Sequence, residues 1–416
     1  METARGHVER LFHEQAGGIQ ATLIRLLGDL DLAGEVMQEA FVAALSLWDE
    51  RGVPDNPRNW LITTARNRAI DRLRQRRRFL APEVSASVLA DLDDADAEIE
   101  RQLGEPIADD QLRLIFTCCH PALSVEAQIA LTLHTLCGLT SEQIARAFLI
   151  PLPTLAQRLV RAKKKIRDAR VPYRVPPPEL LPERLDSALA VIYLVFNEGY
   201  LSADGEGPIR AELCSEAIRL ARLVACLLPT ETEPRALLAL MLLHDARKTT
   251  RVSTSGELVL LADQDRTRWD RMQIEVALAI VEEVLKRGGA RPFAMQAAIA
   301  ALHAQASRPQ DTDWRQIAAL YSVLIRLHPS PVIELNRAAA ISMVDGPEAA
   351  LPLIDSLAAR GALANYHLLH ATRADCLRRA GRTDAARAAY RQALECEVSD
   401  AERRFLERRL AELTLS

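Results

Sequence analysis

The sequence predicts an all-α protein, and three observations carry this prediction. Alanine, leucine, arginine and glutamate dominate the chain, aromatic residues make up only 4% of it, and apolar residues recur every three or four positions. No segment alternates β-branched with polar residues, as a half-buried strand would. We therefore expect helices throughout and almost no sheet.

Length, composition and charge restrict the class of protein. With 416 residues, 49% of them hydrophobic, the chain is long enough for two or three domains with sizeable cores. The net charge of -4 argues against a uniformly basic nucleic-acid binder, although positive charge concentrates at 66–78 and 158–170. No apolar stretch is long enough to span a bilayer, and the first residues lack the apolar core of a signal peptide. We therefore expect a cytoplasmic protein.

The cysteines do not indicate disulfides. Seven of them are scattered through predicted helices, and in a reducing compartment they should remain thiols. Cys118, Cys119 and His120 form the cluster that we weigh as a metal site. Adjacent cysteines chelate poorly and no second pair follows at ligand spacing, so buried thiols are the favoured interpretation. We expect no metal and no cofactor.

The first 48 residues predict two helices. One runs from Val8 to Leu27, could be broken at Gly17-Gly18, and closes at Gly28. The next, from Asp31 to Trp48, directs an apolar stripe to the core and its acidic residues to another surface. The stripe contains Val36, Met37, Ala40, Phe41, Ala44, Leu45 and Trp48. By composition alone, the acidic surface needs no partner other than water.

A third helix is predicted over residues 56–78, with Asn56 as its N-cap and Pro57 in its first turn. Its apolar positions are Leu61, Ile62, Ala65, Ala69, Ile70 and Leu73. Its other face carries Arg66, Asn67, Arg72 and Arg74. This face is either a solvated surface or one that lies against phosphates.

The next segments predict a linker and a helix-turn-helix. Residues 80–109 are rich in aspartate and glutamate, which is typical of a flexible acidic linker or a solubilising spacer. The helical pattern returns at Asp110. Thr140 or Ser141 caps a short helix ending at Phe148, and after a turn a second helix follows from Thr154 to Arg170. The N-terminal residues of this second helix should enter a major groove.

The rest of the chain is a helical extension. Residues 171–178 contain four prolines and form a rigid, extended boundary. Residues 291–409 match the tetratricopeptide pattern, best at Ala374, Gly381, Ala386, Tyr390 and Ala393. We interpret them as stacked helical hairpins, with an ordinary bundle as the alternative.

Polar motifs interrupt the apolar helices of residues 180–287. They are Asn197 to Tyr200, Leu243 to Arg247, and Asp263 to Asp270. A buried hydrogen-bond network is the favoured interpretation, and a ligand or metal site is the alternative. A metal-dependent hydrolase built around Glu198, His244 and Asp265 remains the weakest of the functional hypotheses.

Three motifs in order resemble the extracytoplasmic-function sigma factors of bacterial RNA polymerase. They lie at Asp31 to Phe41, Trp60 to Arg74, and Gln143 to Ile166. The resemblance covers roughly the first 170 residues and implies sigma region 2 at 1–79 and sigma region 4 at 110–170. With the composition and the repeat pattern, the sequence predicts three further domains: an acidic linker at 80–109, a helical middle domain at 171–290 and tetratricopeptide-like repeats at 291–416. The motifs at 197–200 and 263–270 resemble those of sigma factors with such an extension, which is thought to modulate their activity.

The resemblance also implies three sets of binding residues. The core-polymerase contact is expected at Asp31, Glu35, Gln38, Glu39 and Phe41. The −10 contact is expected at Trp60, Arg66, Asn67, Arg72 and Arg74, although Trp60 could equally be a core residue. The −35 contact is expected at Thr154, Gln157, Arg158, Arg161, Lys163 and Lys164. Residues 151–156 depart from the family pattern and offer few donors for base edges. Contacts to DNA phosphates are therefore expected to dominate at the −35 region.

The resulting hypothesis is an initiation factor, not an enzyme, whose partners are core RNA polymerase and promoter DNA. The extension would regulate it and could carry a further protein or ligand. The alternative is a free-standing helix-turn-helix regulator with a repeat-protein sensor. That protein would bind duplex DNA through residues 139–170 without polymerase.

Overall fold

The computed structural model describes residues 4–80, 107–148, 150–201, 208–253, 258–361, 363–396 and 398–415. They form two compact units, residues 1–194 (unit 1) and 195–416 (unit 2). The acidic segment that we interpreted as a linker lies outside the described residues from 81 to 106.

Unit 1 contains seven α-helices among its described residues, and an eighth spans the boundary. They are α1 (Ala4–Leu27), α2 (Leu30–Arg51), α3 (Pro57–Leu80), α4 (Ile107–Cys118), α5 (Val125–Thr135), α6 (Ser141–Ala147), α7 (Leu152–Asp168) and α8 (Leu181–Leu201). The described part of unit 2 continues with α9 (Pro208–Leu227), α10 (Glu233–Asp245), α11 (Arg271–Lys286), α12 (Pro292–Gln305), α13 (Trp314–Leu327), α14 (Pro331–Val344), α15 (Pro347–Ala359), α16 (His367–Arg379), α17 (Thr383–Glu395) and α18 (Asp400–Leu415).

The all-α prediction is confirmed. Within the described ranges there is no strand, and an isolated antiparallel bridge joins Val252 to Leu258. None of the described helices is long and apolar enough to cross a membrane.

The first helix is not broken at Gly17-Gly18. Gly17 lies inside α1, where a Cβ atom would stand 2.4 Å from the carbonyl oxygen of Leu136. Glycine is therefore required by the close approach of another backbone, not by a turn. The helix ends before Gly28, whose φ of 65° lies in the left-handed region.

A buried carboxylate ties α1 to α4. Asp110 is 2% exposed, and Arg25 Nε donates to both of its oxygens at 2.8 and 2.9 Å. Arg113 Nη1 donates to the same carboxylate at 3.0 Å. The hydroxyl of Tyr173 lies 2.8 Å from the carbonyl oxygen of Ala21 and 3.1 Å from that of Asp110. These bonds hold the N-terminal helices, α4 and the segment after α7 together.

Local capping sets several helix starts. Asn56 Oδ1 accepts from the amide of Asn59, as predicted. Thr140 is the cap of α6, because its hydroxyl accepts from the Gln143 amide while the Gln143 side chain accepts from the Thr140 amide. Helix α7 begins at Leu152, two residues before the predicted start. Pro153 is tolerated there because first-turn amides have no helical partner.

The C-terminal helices of unit 2 follow one another as hairpins. Gly381, with φ of 74°, joins α16 to α17. The small and aromatic residues of the proposed repeat are buried: Ala374, Ala386, Tyr390 and Ala393. Ala319, whose position in the sequence fits the small residue of an earlier repeat, is exposed. The fold fits a helical-repeat domain, and the tetratricopeptide assignment stays a prediction.

Substitution of two helical glycines by alanine should have opposite effects. Gly17→Ala forces a methyl group into the Leu136 carbonyl, so we expect a loss of about 1–3 kcal/mol in unfolding free energy. Gly34→Ala meets only the flexible Gln20 side chain at 3.5 Å, so we expect a gain of up to about 1 kcal/mol. Urea denaturation of both variants measures the difference, and a stabilising Gly17→Ala would contradict the close approach.

The start of α18 should make stability depend on pH. Ser399 donates its amide and hydroxyl to Glu402 at 2.9 Å, and His367 Nε2 lies 3.2 Å from the same carboxylate. The close contact with His367, followed by the hydrogen bonds from Ser399, lowers the pKa of Glu402 to about 2. A depressed carboxyl pKa stabilises the folded state above the unfolded pKa of about 4.5 and loses this contribution as pH falls toward 2.

Glu402→Gln should therefore reduce stability by about 1 kcal/mol at pH 7. The difference from the wild type should shrink as pH falls from about 5 to 3. Thermal unfolding across this range measures it. A difference that stays constant with pH would show that the Glu402 charge contributes nothing.

Candidate functional site

Helix α2 carries the acidic surface that the sequence predicts. Asp29 caps the helix by accepting from the amides of Asp31 and Leu32, and the buried side is the predicted apolar stripe except Leu45. Asp31, Glu35 and Gln38 are exposed, and Glu39 is half-buried. These residues are therefore placed where a partner can reach them.

Two apolar residues of α2 lie on the exposed side. Val42 is 64% exposed and Leu45 is 42% exposed, so Leu45 is not the core residue that we predicted. With Glu35 and Gln38 they follow helical spacing and form one stripe, the α2 stripe: Glu35, Gln38, Val42 and Leu45. Sequence reasoning missed Val42 as a surface residue, although its spacing from Gln38 was a usable signal.

Phe41 does not belong to this surface. It is 6% exposed, and its ring packs edge-on against Phe12, with ring centroids 5.1 Å apart. The prediction that Phe41 contacts a partner is therefore corrected. Its side chain fills the core between α1 and α2.

Helix α3 presents a basic and amide surface. Leu61, Ile62, Ala65 and Ala69 are buried, Asn67 is exposed, and Arg66 is half-buried. Trp60 is half-buried and packs edge-on against Trp48 at 5.3 Å. Arg74 lies on the helix, but its side chain is outside the described residues.

The acidic and basic surfaces contact each other. Arg72 forms ion pairs with Glu35 and Glu39, and Arg68 Nη1 lies 3.3 Å from Glu39. All four side chains are at least 32% exposed. Pairs this exposed contribute at most about 1 kcal/mol each, so a stronger partner can replace them.

Helix α7 is the second half of the helix-turn-helix. Leu155, Leu159, Ala162 and Ile166 are buried, as predicted. Its exposed candidates are Thr154, Gln157, Arg161 and Lys164, and Arg158 and Lys163 are half-buried. Lys163 Nζ lies 2.9 Å from Asp31 of α2. Unit 1 thus joins a predicted DNA contact to a predicted polymerase contact.

The cysteine cluster is buried. Cys118 and Cys119 are at most 1% exposed, and burial raises the pKa of Cys119 to about 12. No group of three metal-ligating side chains occurs in the described part of the chain. The interpretation as structural thiols therefore rests on burial and on protonation at neutral pH.

The polar motifs of unit 2 form a hydrogen-bond network. Trp269 Nε1 donates to the Thr250 hydroxyl at 3.0 Å, and this hydroxyl lies 3.3 Å from Gln264 Oε1. Asp245 accepts from Lys248 at 3.0 Å and from Gln273 at 3.1 Å. These bonds connect α10 to the segment before α11 and to α11 itself, as the favoured interpretation required.

The residues proposed for a hydrolase have other roles. His244 Nδ1 lies 3.0 Å from a guanidinium nitrogen of Arg247, which can only donate. Asp265 accepts from Thr267 and caps the 3₁₀ turn Arg266–Arg268. Neither side chain is arranged to hold a metal with Glu198.

Comparison with known protein families finds matches to the two helical regions of unit 1, in the order in which the sequence motifs occur. Residues 11–79 match the family described as Sigma-70 region 2, and residues 113–166 match Sigma-70, region 4. Residues 184–285 match a family of unknown function, DUF6596.

Two relatives define the extent of similarity. An uncharacterized protein of Rhizobium meliloti (strain 1021) is 43% identical over 394 residues, which cover 94% of this chain and 92% of that protein. A probable ECF RNA polymerase sigma factor, SigI of Mycobacterium tuberculosis, is 27% identical over 157 residues, 37% of this chain and 52% of SigI.

Helices α1 to α3 and α4 to α7 therefore constitute the two conserved regions of a transcription initiation factor. The chain belongs to the sigma-70 family, as an extracytoplasmic-function sigma factor with a C-terminal extension. The family functions in transcription and not as an enzyme, and its partners are core RNA polymerase and promoter DNA.

Proposed function

We propose that the chain recruits core RNA polymerase through α2, melts the −10 region with α3 and anchors the −35 region with α7. The observation that carries this proposal is the α2 stripe, in which exposed valine and leucine side chains lie beside acidic and amide groups. An exposed apolar stripe edged by charge is typical of a protein-binding surface.

The polymerase contact comprises the α2 stripe together with Asp31 and Glu39. Val42 and Leu45 supply apolar area, while the carboxylates supply orientation. Arg68 and Arg72 pair with Glu35 and Glu39 before binding. When a basic surface of the polymerase binds, the carboxylates exchange these weak, exposed ion pairs for ion pairs that are less accessible to water.

The −10 contact uses α3. We assign it to Trp60, Arg66, Asn67, Arg72 and Arg74, with the loop 51–56 beside it. Exposed Asn67 can hydrogen-bond an unstacked base, and the arginines can hold the single strand. Trp60 is half-buried and packs edge-on against Trp48, which supports its use as a stacking platform for an unstacked base.

The −35 contact uses α7. Thr154 and Gln157 lie at its exposed N-terminal end, suited to base edges, and Arg158, Arg161 and Lys164 follow toward phosphates. Lys163 joins them when its pair with Asp31 separates. Regions 2 and 4 are then both released for binding, so we infer that polymerase and promoter binding favour each other.

The extension is proposed to regulate this step through the segment that precedes α8. Tyr173 bridges α1 and α4, and Arg184 of α8 donates to the Phe116 carbonyl oxygen of α4 at 2.6 Å. Both residues follow region 4 in sequence and contact it in unit 1. A change in the extension that loosens these contacts would alter how regions 2 and 4 are held.

Introduction of a negative charge into the α2 stripe should weaken recruitment of core polymerase. Val42→Asp places a carboxylate in the proposed apolar contact, so core-polymerase affinity should fall at least about tenfold and run-off transcription should fall with it. Met272→Asp, at an apolar position on α11 that is 79% exposed, is the matched control and should retain both. A Val42→Asp protein that still binds core polymerase fully would overturn the proposed contact.

The rival function gives a different result. A free-standing regulator would bind a duplex through α7 and would not co-purify with core polymerase. Failure of the wild-type chain to bind core enzyme, together with tight binding of promoter duplex, would favour that regulator.

Removal of the Tyr173 hydroxyl should change transcription without unfolding the protein. Tyr173→Phe removes a hydrogen bond worth about 1 kcal/mol between α1 and α4, enough to shift a two-state equilibrium about fivefold. We expect a run-off yield that differs severalfold from the wild type, with unchanged circular dichroism. Tyr366→Phe in unit 2 is the control, and equal yields from all three proteins would contradict the proposed route of regulation.

A further inference from the structure

Unit 2 contains a concentration of positive charge that the transcription function does not use. It is the arginine cluster, defined as Arg247, Arg251 and Arg266 with the imidazoles of His244 and His303. Arg247, Arg251 and His244 of this cluster contact the ring of Tyr200, the last residue of the 197–200 motif. It lies where α10 ends and the following 3₁₀ turns begin.

Two of the arginines flank the Tyr200 ring. The guanidinium carbon of Arg251 lies 3.8 Å from the ring centroid, and Arg251 Nη1 donates to the Tyr200 carbonyl oxygen. The guanidinium carbon of Arg247 lies 6.0 Å from the same centroid. The Tyr200 ring also contacts that of His244, with centroids 5.3 Å apart.

The third arginine is nearly inaccessible. Arg266 is 6% exposed, lies over the Trp269 ring at 4.9 Å, and donates to the carbonyl oxygens of His303 and Ala306. These neutral partners satisfy hydrogen bonds without compensating its charge.

The cluster lacks a paired carboxylate. Within the described ranges, no aspartate or glutamate forms an ion pair with Arg247, Arg251 or Arg266. Asp245, two residues before Arg247, is held by Lys248 and Gln273. Asp265, the residue before Arg266, accepts from Thr267.

Two other acids act on the cluster only through space. Glu402 accepts hydrogen bonds from Ser399 and lies 3.2 Å from His367, and Asp311 accepts from Arg308. Their charges raise the pKa values of Arg251 and Arg266 less than burial lowers them. Buried positive charge therefore exceeds buried negative charge at this point, which is costly without a further anion.

The same region has buried polar atoms without a partner among the described residues. They are the Tyr200 hydroxyl, Arg266 Nε and His303 Nδ1. Buried polar atoms in folded proteins are nearly always hydrogen-bonded, so each one indicates a missing partner. Burial, followed by the charges of Arg247 and Arg266, lowers the pKa of His303 to about 4, so this imidazole is neutral at physiological pH.

A cavity of about 320 Å³ lies next to residues that contact the cluster, although no residue of the cluster lines it. Its lining combines apolar side chains such as Trp314, Leu258 and Phe405 with the charged side chains of Asp375, Arg379, Glu402 and Arg409. Trp314 packs edge-on against His303 at 5.1 Å, and Leu258 pairs with Val252, the residue after Arg251. A volume of this size accommodates the apolar part of a small molecule.

We propose that Arg247, Arg251 and the Tyr200 hydroxyl bind the phosphate group of a small organic phosphate, whose apolar part extends toward the neighbouring cavity. A metal is disfavoured because the charges are positive. Two guanidinium groups and a hydroxyl offer more hydrogen-bond donors than the two oxygens of a carboxylate ligand can accept. A phosphate group has three oxygens to accept these hydrogen bonds and therefore fits the donors better. The site is independent of polymerase and promoter binding.

Thermal unfolding of the full-length chain tests this proposal. Inorganic phosphate should raise the Tm of unit 2 saturably, by about 5 °C near saturation, relative to sodium chloride at equal ionic strength. Phenyl phosphate at the same concentration should raise it further, because its ring enters the cavity. A wild-type Tm that responds to neither compound more than to chloride would overturn the site, and equal shifts would overturn the use of the cavity.

Three variants separate binding from a structural role. Tyr200→Phe removes a hydroxyl that has no described partner, so the phosphate-free Tm should stay level or rise while the phosphate-dependent shift falls at least twofold. Arg247→Gln should lose the shift, and Arg247→Lys should restore part of it. Arg360→Gln, whose side chain pairs with Glu334, is the matched control and should keep the whole shift. Full shifts in Tyr200→Phe and Arg247→Gln would contradict the assignment.

Discussion

A single buried carboxylate organises unit 1. Asp110 stands at the start of α4, where Arg25 of α1 and Arg113 of its own helix neutralise it. A charge this inaccessible cannot be left unpaired without a cost of several kcal/mol, so α1 and α4 are held in one arrangement. The approach of Gly17 to the Leu136 carbonyl depends on the same arrangement. Regions 2 and 4 are therefore packed on one another by specific contacts in this structure.

The functional surfaces of unit 1 partly neutralise each other. Acidic residues of α2 pair with Arg72 of α3 and with Lys163 of α7. The Arg72 pairs are exposed enough to be weak, unlike the Asp110 pair, and the Lys163 pair is intermediate because Lys163 is 19% exposed. This contrast divides the charges of unit 1 into those that maintain the fold and those that remain available for exchange with polymerase or DNA.

Unit 2 uses charge differently. Asp245, Gln264 and Trp269 belong to a network in which each of these three side chains is hydrogen-bonded. This network connects α10 to α11. The adjacent arginines have carbonyl oxygens and aromatic rings as partners, and no carboxylate among the described residues. A network with complete pairing is expected to stabilise the fold, whereas an excess of one charge is typical of a ligand site.

The sequence by itself determined the helical class, the buried stripes and several caps, because periodicity and capping depend on residues three or four positions apart. Asn56, Thr140 and the apolar side of α7 follow from that local rule. It could not determine contacts between distant helices. Only the tertiary structure showed that α1 continues through Gly17, that Phe41 is buried while Val42 and Leu45 are exposed, and that Lys163 pairs with Asp31. Many acids and bases could pair equally well by charge, and the packing of the helices selects which of them meet.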